Sequence, residues 1–212
     1  MAVSFDLFGT LVSVRTPEDP ARAVARELAS RGVAVPDDWA TAYRERHVEA
    51  PQGAEVPLPA HVARALASRE VDAPGNAPRR AVVAAFDPEV TTRPGAPEAV
   101  AAAADVGPVA LCSNCSVPEL AARTLIRSEV DRSLFDATVT SVACGWRKPS
   151  EQMFERVADA LGVPPAPLVH VGDDPRTDGG IEAVGGRFVD VSTVSLADFP
   201  DWLARENAED PA

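Results

Sequence analysis

Short apolar runs that close on a polar residue or a glycine recur along the chain. Val3-Ser4-Phe5 runs into Asp6 and breaks at Gly9, Val109-Ala110-Leu111-Cys112 runs into Ser113-Asn114, and Leu168-Val169-His170-Val171 runs into Gly172-Asp173-Asp174. Apolar runs of this length, bounded by turn residues, predict buried strands. Residues 137–142, rich in β-branched side chains, and residues 187–191 predict two more. Helical patterns fill the intervals. They cover 97–104, a segment opened by Ser116-Val117-Pro118-Glu119 with the spacing of a capping box, and a helix from Ser150 whose Phe154, Val157, Ala158 and Leu161 share one face. Two more are expected at 176–184 and 195–205. Strand and helix in alternation predict an α/β fold, a doubly wound parallel sheet whose site lies at the carboxyl ends of its strands.

Residues 14–92 break the alternation. Thr16-Pro17-Glu18-Asp19 starts a helix over 20–31, and Pro36-Asp37-Asp38 leads into another carrying Trp39 and Tyr43. A loop rich in Pro and Gly follows at 50–58, then helices at 61–71 and 79–86, with no strand expected in this block. The expected organisation is a core of 1–13 and 93–205, a helical insertion at 14–92, and a frayed tail at 206–212.

Charge narrows the partners. Asp and Glu outnumber Lys and Arg 32 to 20, for a formal charge of −12. Such a field repels nucleic acid and anionic membrane, so a small-molecule substrate is expected, bound by a monomer or homodimer. No apolar run has the length of a membrane helix and no basic-then-apolar leader opens the chain, which predicts a cytoplasmic protein. Lys148 is the only lysine; every other cation except the histidines is arginine. Acidity with lysine loss fits either codon bias or a halophilic surface, and either way the one retained lysine invites a functional account. Cys112, Cys115 and Cys144 form an odd set that predicts reduced thiols. Cys112-x-x-Cys115 has no matching pair for a zinc site and is expected to be structural.

The strand ends carry chemistry: Asp6 and Thr10, then Ser113 and Asn114, then Arg147 and Lys148, then Asp173, Asp174 and Asp178. In the expected topology they converge. A carboxylate nucleophile, a hydroxyl, one ammonium and a carboxylate cluster are the parts of covalent hydrolysis through aspartate. Several carboxylates in one cleft raise each other's pKa unless a cation joins them, and Mg²⁺ is the simplest such cation. The remaining candidates have plainer expectations: His170 as a satisfied core histidine, Trp39 and Tyr43 as packing, and Arg22, Arg26, Arg44 and Arg46 as candidate anion clamps that nothing in the sequence ranks.

The segments Asp6-Leu7-Phe8-Gly9-Thr10, Ser113-Asn114, Lys148-Pro149 and Gly172-Asp173-Asp174-x-x-x-Asp178 resemble the four ordered motifs of the haloacid dehalogenase-like hydrolase superfamily. The resemblance implies a Rossmann-like core with residues 14–92 as a helical cap. It implies Asp6 as nucleophile, with Asp6, the Phe8 carbonyl and Asp173 holding Mg²⁺ and Asp174 or Asp178 supporting metal and lysine. Thr10, Ser113 and Asn114 would bind the transferring group, and Lys148 would orient nucleophile and substrate. One departure matters. Phosphatases of this superfamily usually place a second Asp, the acid that protonates the leaving group, where this chain has Phe8. An acid of this kind is worth roughly 10²–10⁴-fold, so a good leaving group such as an acyl phosphate is expected. An aromatic at this position resembles the metal-independent 2-haloacid dehalogenases, whereas the fourth motif resembles a magnesium site. The expectation is a Mg²⁺-dependent phosphohydrolase, with a 2-haloacid dehalogenase as the alternative and a catalytically quiet metabolite-binding module as the third reading.

Overall fold

The computed structural model describes residues 1–209. In chain order the strands are β1 (Ala2–Phe5), β2 (Val12–Val14), β3 (Val90–Thr92), β4 (Val109–Ser113), β5 (Ala137–Thr140), β6 (Leu168–Gly172) and β7 (Arg187–Asp190). The helices are α1 (Pro20–Ala29), α2 (Trp39–Arg44), α3 (Leu58–Ala67), α4 (Ala77–Ala85), α5 (Ala96–Val106), α6 (Leu120–Arg127), α7 (Ser141–Cys144), α8 (Glu151–Leu161) and α9 (Phe199–Glu209).

Five strands form one parallel sheet in the order β5-β4-β1-β6-β7. β1 lies at its centre, with Phe5 in register with Leu111 on one side and Val171 on the other. All residues of β1, β4 and β6 are buried, because helices cover both faces; this is why their sequences read as nearly continuous apolar runs. The chain moves outward from β1 to β4 and β5, then returns across β1 to β6 and β7. The strand order therefore reverses beside β1, and the crevice at that reversal opens at the carboxyl ends.

On one face α5 and α9 bury Val100, Ala103, Phe199 and Leu203 against Val3, Phe5 and Leu111, with Phe5 and Phe199 edge to face at 5.6 Å. On the other, Met153, Phe154 and Val157 of α8 pack on Ala110, Cys112 and Leu168. Helices α1 to α4 have their own apolar cluster, including Val24, Leu28, Trp39, Val62, Leu66 and Val82, joined by Cys115 and Val117 from the loop after β4. Trp39 is buried with its indole N–H donating to the Ala21 carbonyl at 2.8 Å, and Tyr43 packs between Trp39 and His61.

Several local expectations are corrected. The block at 14–92 contains strand: β2 and β3 pair antiparallel at its neck, with Val12 opposite Thr92 and Val14 opposite Val90. Three-residue strands are too short to display a period-two pattern. The predicted capping box does not form. Glu119 takes φ +67° with no side-chain cap bond, α6 starts at Leu120, and the Ser116 hydroxyl donates to Glu55 instead. The strand expected over 137–142 ends at Thr140 and turns into α7. Residues Asp178–Val184 form a 3-10 helix, since Gly179-Gly180 disfavours a regular α-helix. The last helix begins at Phe199 and runs through the 205/206 boundary to Glu209, so only 210–212 of the expected tail lie outside the described residues. No helix among the described residues is long and apolar enough to cross a membrane. The three cysteines are free, and burial pushes the Cys112 thiol up to about 12, which leaves it protonated and inert at neutral pH.

Candidate active site

The site begins where β1 ends. The Asp6 amide donates to the Val171 carbonyl at 2.9 Å, which fixes the carboxylate beside β6. The chain then turns back through Gly9 at φ +89°, closed by Gly9 N–H to Val12 O at 2.8 Å. A Cβ at Gly9 would stand 2.4 Å from Asp173 Oδ2, so only glycine lets this loop meet the second carboxylate. Gly172 plays the same part at the end of β6, where a Cβ would stand 2.3 Å from Asp178 Cγ.

Lys148 is 3% exposed and spends all three of its ammonium protons: on Asp6 Oδ1 at 2.8 Å, Cys112 O at 2.9 Å and Asp178 Oδ1 at 2.6 Å. The amide of Asn114 holds the Lys148 backbone from both sides, Nδ2 donating to its carbonyl at 3.0 Å and Oδ1 accepting from its N–H at 2.8 Å. Lys148 lies four residues beyond α7 rather than directly after a strand. Asp178 also accepts from His170 Nε2 at 3.1 Å and from the Asp174 N–H at 3.0 Å. His170 is fully buried, with Ser4 Oγ 2.9 Å from Nδ1.

These contacts set the charges. Burial pushes the Asp6 carboxyl up from its ordinary range; the Lys148 ammonium opposes the rise and Asp178 adds to it. Burial also works against the Lys148 charge, but the Asp6 and Asp178 carboxylates outweigh it and hold the ammonium above the ordinary lysine value. For Asp178, burial would favour the neutral acid, yet the His170 hydrogen bond and the Lys148 charge keep it ionised, well below the usual carboxylate range. Burial drives His170 down to about 4, so at neutral pH it is uncharged. Because Asp178 can only accept, the proton of His170 sits on Nε2 and Nδ1 accepts from Ser4.

One carboxylate oxygen from each of Asp6, Asp173 and Asp178 lies within 4.8 Å of the others. Three carboxylates against one ammonium leave two negative charges uncompensated, and the donor set is oxygen alone; both features fit a hard divalent cation. These residues line a cavity of about 200 Å³ together with Phe8, Ser113, Asn114, Lys148, Asp174 and Thr177. The Ser113 hydroxyl is fully buried and has no hydrogen-bond partner among the described residues, an open polar group in the lining of the cavity.

Asp6, Ser113, Lys148, Asp173 and Asp178 are thus brought together. Thr10 is fully buried and its hydroxyl donates to Asp173 Oδ1 at 2.9 Å, so it holds a carboxylate rather than lining the cavity. Asp174 lies at the rim with its carboxylate turned to Arg176, which donates from its backbone N–H and Nε at 3.0 Å each. Arg22, Arg26, Arg44 and Arg46 do not line the cavity. Sequence reasoning missed Thr177, which lines it, and Glu55. Glu55 is a buried carboxylate from the 50–58 loop that accepts from Ser116 Oγ at 2.9 Å and Ser141 Oγ at 2.5 Å, tying the helical block to the core. A lone acid in a loop carries no pattern that marks it as buried.

A family model, haloacid dehalogenase-like hydrolase, matches residues 1–185. The chain belongs to that family. Comparison of this haloacid dehalogenase-like hydrolase with curated protein sequences gives no match. Among solved structures, a 2-haloacid dehalogenase from Pseudomonas syringae pv. Tomato DC3000 is similar at 18% identity and TM-score 0.71, covering 97% of this chain and 98% of that one. CbbY from Rhodobacter sphaeroides, in complex with phosphate, is similar at 23% identity and TM-score 0.56, covering 88% and 84%. L-2-haloacid dehalogenase from Xanthobacter autotrophicus, with chloropropionic acid covalently bound, is similar at 22% identity and TM-score 0.53, covering 99% and 83%. At these identities the likeness speaks for the fold. In the haloacid dehalogenase-like frame, Phe8 follows the motif aspartate by two positions and forms one wall of the cavity.

Proposed function

We propose that this hydrolase is a Mg²⁺-dependent phosphohydrolase acting on a small phosphorylated metabolite through Asp6. The observation that carries the reading is the group of Asp6, Asp173 and Asp178 oxygens within 4.8 Å of one another, with Lys148 already neutralising one charge among them. Asp6, Asp173 and Asp178 would hold the cation, which when bound would supply charge neutralisation for an incoming phosphoryl group. The Asp6 carboxylate attacks phosphorus, the bond from phosphorus to the leaving oxygen breaks, and an aspartyl phosphate forms. Water then attacks phosphorus, releases phosphate and restores Asp6. Ser113 donates its unpaired hydroxyl to a phosphoryl oxygen, and Lys148 keeps Asp6 aimed. Residues 14–92 act as a cap over the site. With Phe8 in place of an acid, substrates whose leaving oxygen needs no proton are favoured, acyl and aryl phosphates among them.

The second reading, a metal-independent 2-haloacid dehalogenase, is favoured by Phe8, since halide leaves without a proton. Turnover of a phosphate panel and of 2-haloacids with Mg²⁺ and with chelator separates the two. Phosphate release that stops with chelator is expected; halide release that survives it overturns the proposal.

A further inference from the structure

A second cavity, of about 380 Å³, opens beside the carboxylate site and shares Phe8 and Asn114 with it as walls. It lies between the helical block and the core. Val14, Thr16 and Pro17 border it from the first connection, Phe86 and Pro88 from the second, Leu58 from α3, and Cys115, Val117 and Leu120 from the core. No lysine, arginine, histidine or carboxylate lines it.

Its polar walls are already spent. The Asn114 amide is bonded to the Lys148 backbone on both sides, the Ser116 hydroxyl donates to Glu55, and the Cys115 thiol points to the Val117 carbonyl at 3.2 Å. Thr16, the remaining polar residue of the lining, is exposed. Phe8, Leu58, Phe86 and Leu120, by contrast, are each only half-buried and turn apolar surface into the space. A charged or heavily hydroxylated group placed there would lose its water without gaining a partner, at a cost no neighbouring residue offsets. An apolar group loses nothing, and the volume is ample: a cavity of about 150 Å³ already holds benzene.

We propose that this cavity binds the leaving group of the substrate and selects an uncharged aromatic one, so that the substrate is an aryl phosphate with a single charged group, the phosphoryl at Asp6. The inference rests on the phosphohydrolase reading and narrows it. An aryl oxygen leaves without a proton donor, which also suits the Phe8 wall between the two cavities. In the reaction the ester bond from phosphorus to the aryl oxygen breaks as Asp6 bonds to phosphorus. The ring lies in the apolar cavity while the departing oxygen stays on the side of the Asp6 site, takes a proton from solvent, and the product leaves as the neutral phenol.

The test compares kcat/KM for 1-naphthyl phosphate, acetyl phosphate, phosphoglycolate and fructose 1,6-bisphosphate, alongside binding of 1-naphthol to the intact protein by calorimetry. Naphthyl phosphate should exceed phosphoglycolate and the bisphosphate by at least tenfold. Leu120→Arg and, independently, Leu58→Arg should each cut the ratio of naphthyl to acetyl phosphate kcat/KM at least tenfold and abolish naphthol binding, with the fold checked by circular dichroism. Preference for either anionic substrate, or naphthol binding unchanged in both variants, overturns the proposal. If naphthol binds and both variants lose it, yet no phosphate ester turns over, the phosphohydrolase reading fails while the apolar site stands.

Discussion

Lys148 Nζ and Asp6 Oδ1 meet at 2.8 Å across 142 residues of sequence, both buried. The pair is not a surface bridge that solvent can replace, because Lys148 gives its other protons to Asp178 and to a backbone carbonyl. Removing one partner of a buried pair leaves uncompensated charge, which typically costs about 3–5 kcal/mol. Lys148→Met should lower the metal-free protein's stability on that scale, read from urea unfolding, and reduce turnover by at least about a thousandfold. Lys148→Arg should not restore it, since a planar guanidinium cannot address three converging acceptors from one atom. A Lys148→Met protein as stable as the parent would mean that the ammonium is not what balances Asp6 and Asp178.

Asp6→Asn keeps the shape of the side chain but removes the carboxylate to which the proposed mechanism assigns the attack. Turnover on every phosphate and 2-haloacid should become undetectable while the circular dichroism spectrum stays native. Any retained rate above background assigns the attack to another group.

Much of this arrangement was legible in the chain because buried parallel strands announce themselves as apolar runs, and their ends are where Asp6, Ser113 and Asp173 sit. The convergence of Lys148 was less direct, since α7 separates it from β5. What stayed hidden has short-range or tertiary causes. β2 and β3 are too short for periodicity. The Ser116-x-x-Glu119 spacing was diverted when Ser116 found Glu55, and the roles of Asn114 and Thr10 depend on which backbone or carboxylate folds against them.

Gly9 and Thr10 jointly place Asp173. Gly9→Ala adds a Cβ at a distance Asp173 cannot tolerate, at a φ of +89° that alanine disfavours, whereas Thr10→Val only removes the hydroxyl bonded to Asp173. Loss of groups that orient metal ligands typically costs about 10–100-fold in affinity. Mg²⁺ affinity by calorimetry should therefore fall by at least tenfold in Gly9→Ala and by less in Thr10→Val. Equal affinity in both variants and the parent protein would place the cation elsewhere.

Phe8 forms one wall of the carboxylate cavity, and the proposed phosphohydrolase has no acid at that position for its leaving group. Phe8→Asp should raise turnover of alkyl phosphates by about tenfold or more, and that of aryl and acyl phosphates little, because only the former need a proton. Parallel rate measurements on one alkyl and one acyl phosphate decide it; no gain on the alkyl ester would show that the missing acid is not limiting.

His170 gives the protein a pH dependence of stability with a defined sign. Burial holds its folded pKa at about 4, below the ordinary value of 6.5, so between those values the unfolded chain binds a proton that the folded one refuses. Stability should be intact above pH 6.5, fall as pH drops towards 4, and gain no further loss from this group below that. A shift of this size corresponds to about 3 kcal/mol across the window. Asp6, whose carboxyl is held above its ordinary range, works in the opposite direction, but it does so in parent and variant alike. His170→Asn, which retains a donor for Asp178, should flatten the difference between urea midpoints measured with chelator at pH 7.5, 6.5, 5.5 and 4.5. If parent and variant lose stability in parallel across that range, the imidazole is not the group that refuses the proton.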